Sequence, residues 1–201
     1  MRSGSRRGPR RLAALLLFLL PIGESAATAA TGGGSPLYQQ FQTRFVGKPA
    51  PAFALKDLKG KLVRLADERG KVLLLNFWYS SCPPCRKETP DLATLHRMYQ
   101  ARGFEVLGIN LDAILIPQST GSELQRFVKE FSLPYPVLVA DPNVFEAYGS
   151  IPVQPISFLV DRGGMVARVF WGAFPGGFLE RAIAPYLREP GSPGVGSPLA
   201  P

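Results

Sequence analysis

The sequence predicts an α/β domain with a mixed β-sheet sandwiched between helices. Three features carry that class. VLLLNFWY (Val72 to Tyr79) and FEVLGINL (Phe104 to Leu111) are strand-like apolar runs separated by a helical stretch, which reads as a right-handed parallel crossover. ISFLV (Ile156 to Val160) and MVARVFW (Met165 to Trp171) are joined by DRGG, a tight turn that makes them antiparallel neighbours. FAL (Phe53 to Leu55) and KLVRL (Lys61 to Leu65) flank DLKG, with Gly60 near the turn, and predict a β-hairpin on the N-terminal side.

The run Val72 to Tyr79 is bounded by Gly70 and a cysteine-containing turn, and it shows no polar alternation, as expected of a strand buried on both faces. A helix follows from about Pro83 to Ala101, with Leu92, Leu95 and Met98 among its apolar positions and Pro90 expected to kink it. SELQRFVKEFSL predicts a second helix from Ser122 to about Phe131, opened by Ser122 in the manner of a capping box. PVLVA (Pro136 to Ala140) is a short strand, and DPNVFEAYG a short helix with an Asp-Pro cap that ends at Gly149. A last helix runs from about Gly176 to Leu187. DAILIPQSTG (Asp112 to Gly121) lies between the second parallel strand and the next helix, as a partner-facing insert or a spacer.

With 201 residues, 46% hydrophobic content and 19% charge, the chain has the composition of one soluble globular domain. Its formal charge of +8 is concentrated at the start, where Arg2, Arg6, Arg7, Arg10 and Arg11 precede the first apolar run. Without residues 1–29, 23 basic residues become 18 and 15 acidic residues become 14, leaving +4 and no case for a nucleic-acid partner. The basic block, the 11-residue run LAALLLFLLPI and the small residues of ESAATAATGGG have the three-part layout of a secretory signal. The apolar run is shorter than the roughly 20 residues that span a bilayer, so residues 1–29 read as a signal peptide, with an uncleaved N-terminal membrane anchor as the alternative. Residues 30–45 read as a linker, 46–188 as the folded domain, and the Gly/Ser/Pro-rich 189–201 as a disordered tail.

Both cysteines, Cys82 and Cys85, lie in FWYSSCPPCRKETPD. Spaced i and i+3 on the first turn of a helix, they face the same way and come close enough for a disulfide. So short a loop removes little chain entropy, which poorly serves a purely structural bond. A redox role needs a thiolate, and a helix N-terminus favours one. Cys82, ahead of the helix, is then the expected exposed nucleophile, and Cys85, one turn in, the shielded resolving thiol. Pro83 and Pro84 are tolerated where first-turn amides lack intrahelical acceptors, though they remove two N–H groups from the sulfur's neighbourhood. Glu88, three residues past Cys85 on the same face, would raise the cysteine pKa if buried and offer a proton acceptor; the alternative is a solvated helix carboxylate among Arg86 and Lys87.

From about Val46 to Leu187 the chain resembles exported thioredoxin-fold proteins of the TlpA/ResA type, within the wider redoxin and AhpC/TSA-like group. The resemblance rests on VGKPAPAFAL, on LLLNFWYSSCPPCRKETPDL and on VQPISFLVDRGG. It implies a thioredoxin-like three-layer sandwich and a thiol–disulfide oxidoreductase that reduces disulfides in partner proteins. It further implies re-reduction by a membrane electron donor of the CcdA/DsbD kind, a setting in cytochrome c maturation, and no dissociable cofactor. Glu88 matches a glutamate associated with the active site in this type. Pro155, directly before the strand ISFLV, matches the family's cis-proline opposite the cysteines better than the competing Pro152, and Gln154 before it would offer backbone to a substrate strand. Trp78 and Tyr79 would flank the site or pack in the core. Two departures stand out: Ser81 replaces the aromatic residue common before the first cysteine, which predicts a more open Cys82, and Asn76 stands where cytoplasmic thioredoxins bury an acid.

Other readings fit less well. A thiol peroxidase of the AhpC/TSA group needs Pro and Ser/Thr ahead of its cysteine, and Leu75 and Tyr79 occupy those places. A copper carrier of the related Sco type needs a wider cysteine spacing and a suitably placed histidine, whereas the single histidine, His96, is expected at the surface of the first helix. Two cysteines and one histidine cannot close a four-ligand zinc site. A non-catalytic binding domain with an incidental cysteine pair is the remaining class.

Overall fold

The computed structural model describes residues 35–187. Within them the order is α1 (Pro36–Phe45), β1 (Ala54–Lys56), β2 (Leu62–Arg64), β3 (Val72–Trp78), α2 (Pro83–Tyr99), β4 (Phe104–Asn110), α3 (Asp112–Leu115), α4 (Ser122–Phe131), β5 (Val137–Val139), α5 (Pro142–Ala147), β6 (Ile156–Val160), β7 (Val166–Trp171) and α6 (Gly176–Ile183). β1 and β2 form the expected hairpin, with Leu55 opposite Val63. The other strands make one sheet ordered β5-β4-β3-β6-β7. β3, β4 and β5 run parallel, whereas β6 is antiparallel to β3, and β7 to β6.

β3 lies at the centre of the sheet and is buried along its whole length. Its alternation sorts the core into two layers. Leu73, Leu75 and Phe77 join Phe45, Tyr148 and Phe158 on one side, and Val72 and Leu74 join Leu92, Leu95, Leu179 and Ile183 on the other. By the same parity Asn76, the one polar residue of the strand, is turned toward α2.

On α2 the buried residues are Cys85, Glu88, Thr89, Leu92, Ala93, Leu95 and His96, a stripe spaced by threes and fours along one face. Met98 falls off that stripe and is exposed. His96 falls on it, so the expected surface histidine is buried, its Nδ1 lying 3.4 Å from Glu105 Oε1. Burial first, then the positive charges of Arg97 and Lys71, hold its pKa below the usual imidazole value. The helix continues through Pro90, which sits on its exposed side.

Two further expectations are corrected. Gly121, with φ +78°, is the N-cap of α4, and Ser122 makes no cap bond. Residues 36–45, expected as part of a linker, form α1, which docks on β7: Gln42 Nε2 donates to the Val169 carbonyl at 2.8 Å, and the Phe41 ring meets Trp171 edge-on at 5.1 Å. The folded unit thus begins ahead of Val46 because Phe41 and Phe45 face one way, four residues apart, and fill the α1 side of the core. Gly149 confirms how closely α1 packs: at φ +91°, a Cβ there would lie 2.8 Å from the Phe41 ring. The leader expected over 1–29 and the tail expected over 189–201 lie outside the described residues. Among the described residues, no helix is long and apolar enough to cross a membrane.

Candidate active site

β3 ends at Trp78, and the chain turns through Tyr79 to Ser81 into α2, with Cys82 at the N-cap. Cys82 and Cys85 are joined by a disulfide, with Cα atoms 5.3 Å apart. Pro83 and Pro84 carry no N–H, so the first amide available to the cap is that of Cys85, which donates to Cys82 Sγ at 3.2 Å. The two prolines therefore leave one donor aimed at the sulfur.

The expectation of an exposed Cys82 fails in this disulfide form. Cys82 is 1% exposed and Cys85 3%, although Ser81, Pro83 and Pro84 around them are exposed. Both cysteines share a buried cluster with Trp78, Leu124, Phe127 and Val137. Leu124 and Phe127 come from α4, so the cover is built by a helix about 40 residues downstream rather than by the residue at position 81. Trp78 is corrected as well. It is buried against Phe127, ring centroids 4.3 Å apart, and backs the disulfide instead of presenting a face to substrate.

Glu88 is buried at 3% exposure rather than solvated beside Arg86 and Lys87. Its Oε1 accepts from Asn76 Nδ2 at 2.8 Å and its Oε2 from the Phe174 amide at 3.2 Å. Asn76 Nδ2 also donates to Ser157 Oγ at 2.9 Å, which links β6, β3 and α2 through side chains. Burial pushes the Glu88 carboxyl up to about 7; the Phe174 and Asn76 donors oppose the rise and the nearby Asp91 charge adds to it. A carboxyl held there exchanges a proton near neutral pH.

The Gln154–Pro155 peptide is cis. Ile156 pairs with Phe77, so one residue further on Pro155 lies level with Trp78, at the end of β3 that leads to the cysteines. Its carbonyl accepts from the Gly172 amide at 2.8 Å. The Gln154 side chain folds back on its own loop, Nε2 donating to the Ile151 carbonyl at 3.0 Å.

The AhpC/TSA family model matches residues 46–169. The thiol-disulfide oxidoreductase ResA of Bacillus thuringiensis subsp. konkukian is 36% identical over 144 residues, spanning 69% of this chain and 79% of that protein. ResA of Geobacillus kaustophilus is 33% identical over 178 residues, spanning 86% of this chain and 92% of its own. Among solved structures, the thiol:disulfide interchange protein of the thioredoxin family from Chlorobium tepidum is 29% identical with a TM-score of 0.63, covering 70% of this chain and 97% of that one. The chain belongs to the AhpC/TSA family.

Within this family its fold is thioredoxin-like, and its class is that of a thiol–disulfide oxidoreductase. Sequence reasoning missed one residue beside the AhpC/TSA-type site. Asp112, at the start of α3, is buried and accepts two 2.7 Å hydrogen bonds from Ser80, one from its amide and one from its hydroxyl. Ser80 lies two residues before Cys82, so a carboxylate from the end of β4 fixes the turn that delivers the cysteine. The segment DAILIPQSTG, read as insert or spacer, thus contains a structural anchor at its first residue. Asp112 in sequence is an ordinary helix-start acid, and only the parallel β3–β4 pairing, with Trp78 opposite Asn110, brings it to Ser80.

Proposed function

We propose that this oxidoreductase is exported and reduces disulfides in partner proteins through the Cys82–Cys85 dithiol. The observation that carries the reading is the Cys82–Cys85 bond at the start of α2, with the Cys85 amide on Cys82 Sγ and Glu88 buried one turn further along the same helix. In the reduced protein the same amide and the helix N-terminus favour the thiolate of Cys82. That thiolate attacks one sulfur of the partner's disulfide; a Cys82–partner bond forms, and the partner's other sulfur leaves as a thiolate with the electron pair. Cys85 gives up its proton, with Glu88 as the nearby acceptor, and attacks Cys82 Sγ, releasing the second partner thiolate. Two electrons pass to the partner, and the Cys82–Cys85 disulfide results. The turn at Gln154 and Pro155 offers backbone to the partner's extended segment.

An external dithiol must then restore the pair, and a membrane donor of the CcdA/DsbD kind fits an exported domain. Export is supported by the basic, apolar and small-residue order of the N-terminus, with a membrane anchor as the alternative use of the same segment. Family resemblance supports a setting in cytochrome c maturation. The test is trapping: Cys85→Ser should accumulate mixed disulfides through Cys82, and Cys82→Ser should accumulate none. Absence of any trapped partner, together with no insulin-disulfide reduction by the wild type, would overturn the function. A redox potential near the oxidising end of the thioredoxin-fold range would overturn the direction alone.

A further inference from the structure

Three amides between the end of β7 and the first residue of α6 tie this segment to the elements that carry the site. Gly172 N–H donates to the Pro155 carbonyl at 2.8 Å, Phe174 N–H to Glu88 Oε2 at 3.2 Å, and Gly176 N–H to Asp91 Oδ2 at 2.8 Å. Glu88 and Asp91 lie three residues apart on α2, so their carboxylates stand one above the other on a common face. Residues 172–176 therefore run as a strap from the Pro155 turn across two successive carboxylates of the cysteine-bearing helix. Ring packing holds its middle, with Phe174 stacked on Phe178 at 4.8 Å and edge-on to Phe170 at 5.8 Å. Its end is held by a close approach: a Cβ on Gly176 would meet Asp91 Cβ and Cγ at 3.0 Å.

We propose that Asp91 is a positioning residue for the redox reaction: by holding the Gly176 amide it seats the strap, which fixes the Phe174 amide on Glu88 and the Gly172 amide on Pro155. The inference rests on the participation of Glu88 proposed above. Its physical basis is the donor count at Glu88. Asn76 Nδ2 and Phe174 N–H each present a donor to one carboxylate oxygen, a pattern that suits the ionised form and leaves a proton on Oε2 facing another donor. A seated strap thus favours ionisation against the effect of burial, and a released strap leaves burial less opposed. The charge that reaches Glu88 is that of Asp91 on its own helix; Tyr135, on the segment ahead of β5, is pushed up by burial and then by the charge of Glu88, so its phenol stays neutral beside the carboxyl. Asp91 therefore acts on Glu88 in two opposite senses. Its negative charge disfavours ionisation of Glu88, while its grip on Gly176 favours it.

Three variants of the full chain separate the two senses. Asp91→Asn removes the charge and keeps an acceptor for Gly176; Asp91→Ala removes both; Gly176→Ala displaces the seat and keeps the charge. Hydrogen exchange at the Phe174 amide reads the strap, and the pH dependence of disulfide reduction from about pH 5 to about pH 9 reads Glu88, whose inflection is the one lost in Glu88→Gln. Asp91→Ala and Gly176→Ala should speed Phe174 exchange about tenfold or more, the effect of losing a charge-assisted hydrogen bond, and Asp91→Asn should hold it within about threefold of wild type. The Glu88 inflection should move to higher pH in Gly176→Ala and to lower pH in Asp91→Asn. Unchanged Phe174 exchange in both Asp91→Ala and Gly176→Ala, or inflections that move the same way in Asp91→Asn and Gly176→Ala, would overturn the inference while leaving Glu88's role intact. If Glu88→Gln leaves the wild-type profile unaltered, the proposed role of Glu88 fails, and the positioning role of Asp91 falls with it.

Discussion

Asn76 Nδ2 lies 2.8 Å from Glu88 Oε1 and 2.9 Å from Ser157 Oγ, so a line of polar side chains crosses an otherwise apolar core between β6, β3 and α2. Burial raises the Glu88 carboxyl from its ordinary 4.5 to about 7 in the folded protein. Between those values the folded state holds a proton that the unfolded chain has lost. The contribution of Glu88 to stability is therefore full below about pH 4.5 and is lost as pH rises through about 7, an effect of about 3 kcal/mol over the window. Urea unfolding at about pH 4.5 and about pH 8 should show wild type losing roughly that much more stability than Glu88→Gln between the two conditions. Parallel changes in the two proteins would rule the assignment out.

Asp112 anchors the turn ahead of Cys82 through the Ser80 amide and hydroxyl, all of it buried. Asp112→Ala strands two donors away from water, and hydrogen bonds to a charged acceptor contribute about 1.5–3 kcal/mol each. The expected loss is about 3 kcal/mol of stability, with slower reduction of a model disulfide by the folded fraction because the Cys82 turn is no longer fixed. Ser80→Ala, which keeps the amide bond, should lose about half as much stability. Equal stability of Asp112→Ala and wild type would remove Asp112 from the account.

The sheet was legible because its signals are local: an unbroken apolar run for β3, a crossover helix, and DRGG between β6 and β7. The Cys82–Cys85 pair was legible for the same reason. What the sequence did not disclose came from partners far along the chain. Glu88 could be placed on the face of Cys85 by spacing, yet the Phe174 amide that holds it is 86 residues away. Ser80 and Asp112 are 32 residues apart and meet only once β3 and β4 pair. The openness of Cys82 was inferred from its neighbour Ser81, whereas its cover comes from Leu124 and Phe127 on α4. His96 and Met98 both sit on α2, and the phase of the stripe, set by tertiary packing, buries the histidine and exposes the methionine.

α1 read as a spacer because a Gly/Ser-rich stretch runs into it and only Phe41 and Phe45 reach the core. Phe45 meets Phe158 edge-on at 5.1 Å and stacks on Tyr148 at 6.3 Å, so it contributes to the same layer as β6 and α5. Phe45→Ala should cost about 3–5 kcal/mol, as for a buried aromatic residue, without changing the reactivity of the dithiol in the folded fraction. Denaturation midpoints together with thiol alkylation rates check both halves. A loss below about 1 kcal/mol would return α1 to the status of a linker.

Phe127 sets access to the disulfide from the α4 side. It is buried, with Trp78 at 4.3 Å and Phe131 at 4.6 Å between ring centroids, and the Arg86 guanidinium carbon stands 5.3 Å from its ring centre. Attack on a disulfide requires a thiolate to approach a sulfur along the bond, and with Cys82 1% exposed that approach requires the α4 cover to yield. Removing the ring should lower stability by about 3–5 kcal/mol and make the bond more accessible. Phe127→Ala should therefore be reduced faster than wild type by a small dithiol at a pH and temperature where both are folded. Phe127→Leu, which keeps most of the volume, should fall between them. Trp78 fluorescence can follow the reaction, since its ring packs directly on Phe127. A variant that is destabilised yet reduced at the wild-type rate would mean that the sulfur is reached from the exposed Ser81–Pro84 side, and α4 would then be cover for the core alone.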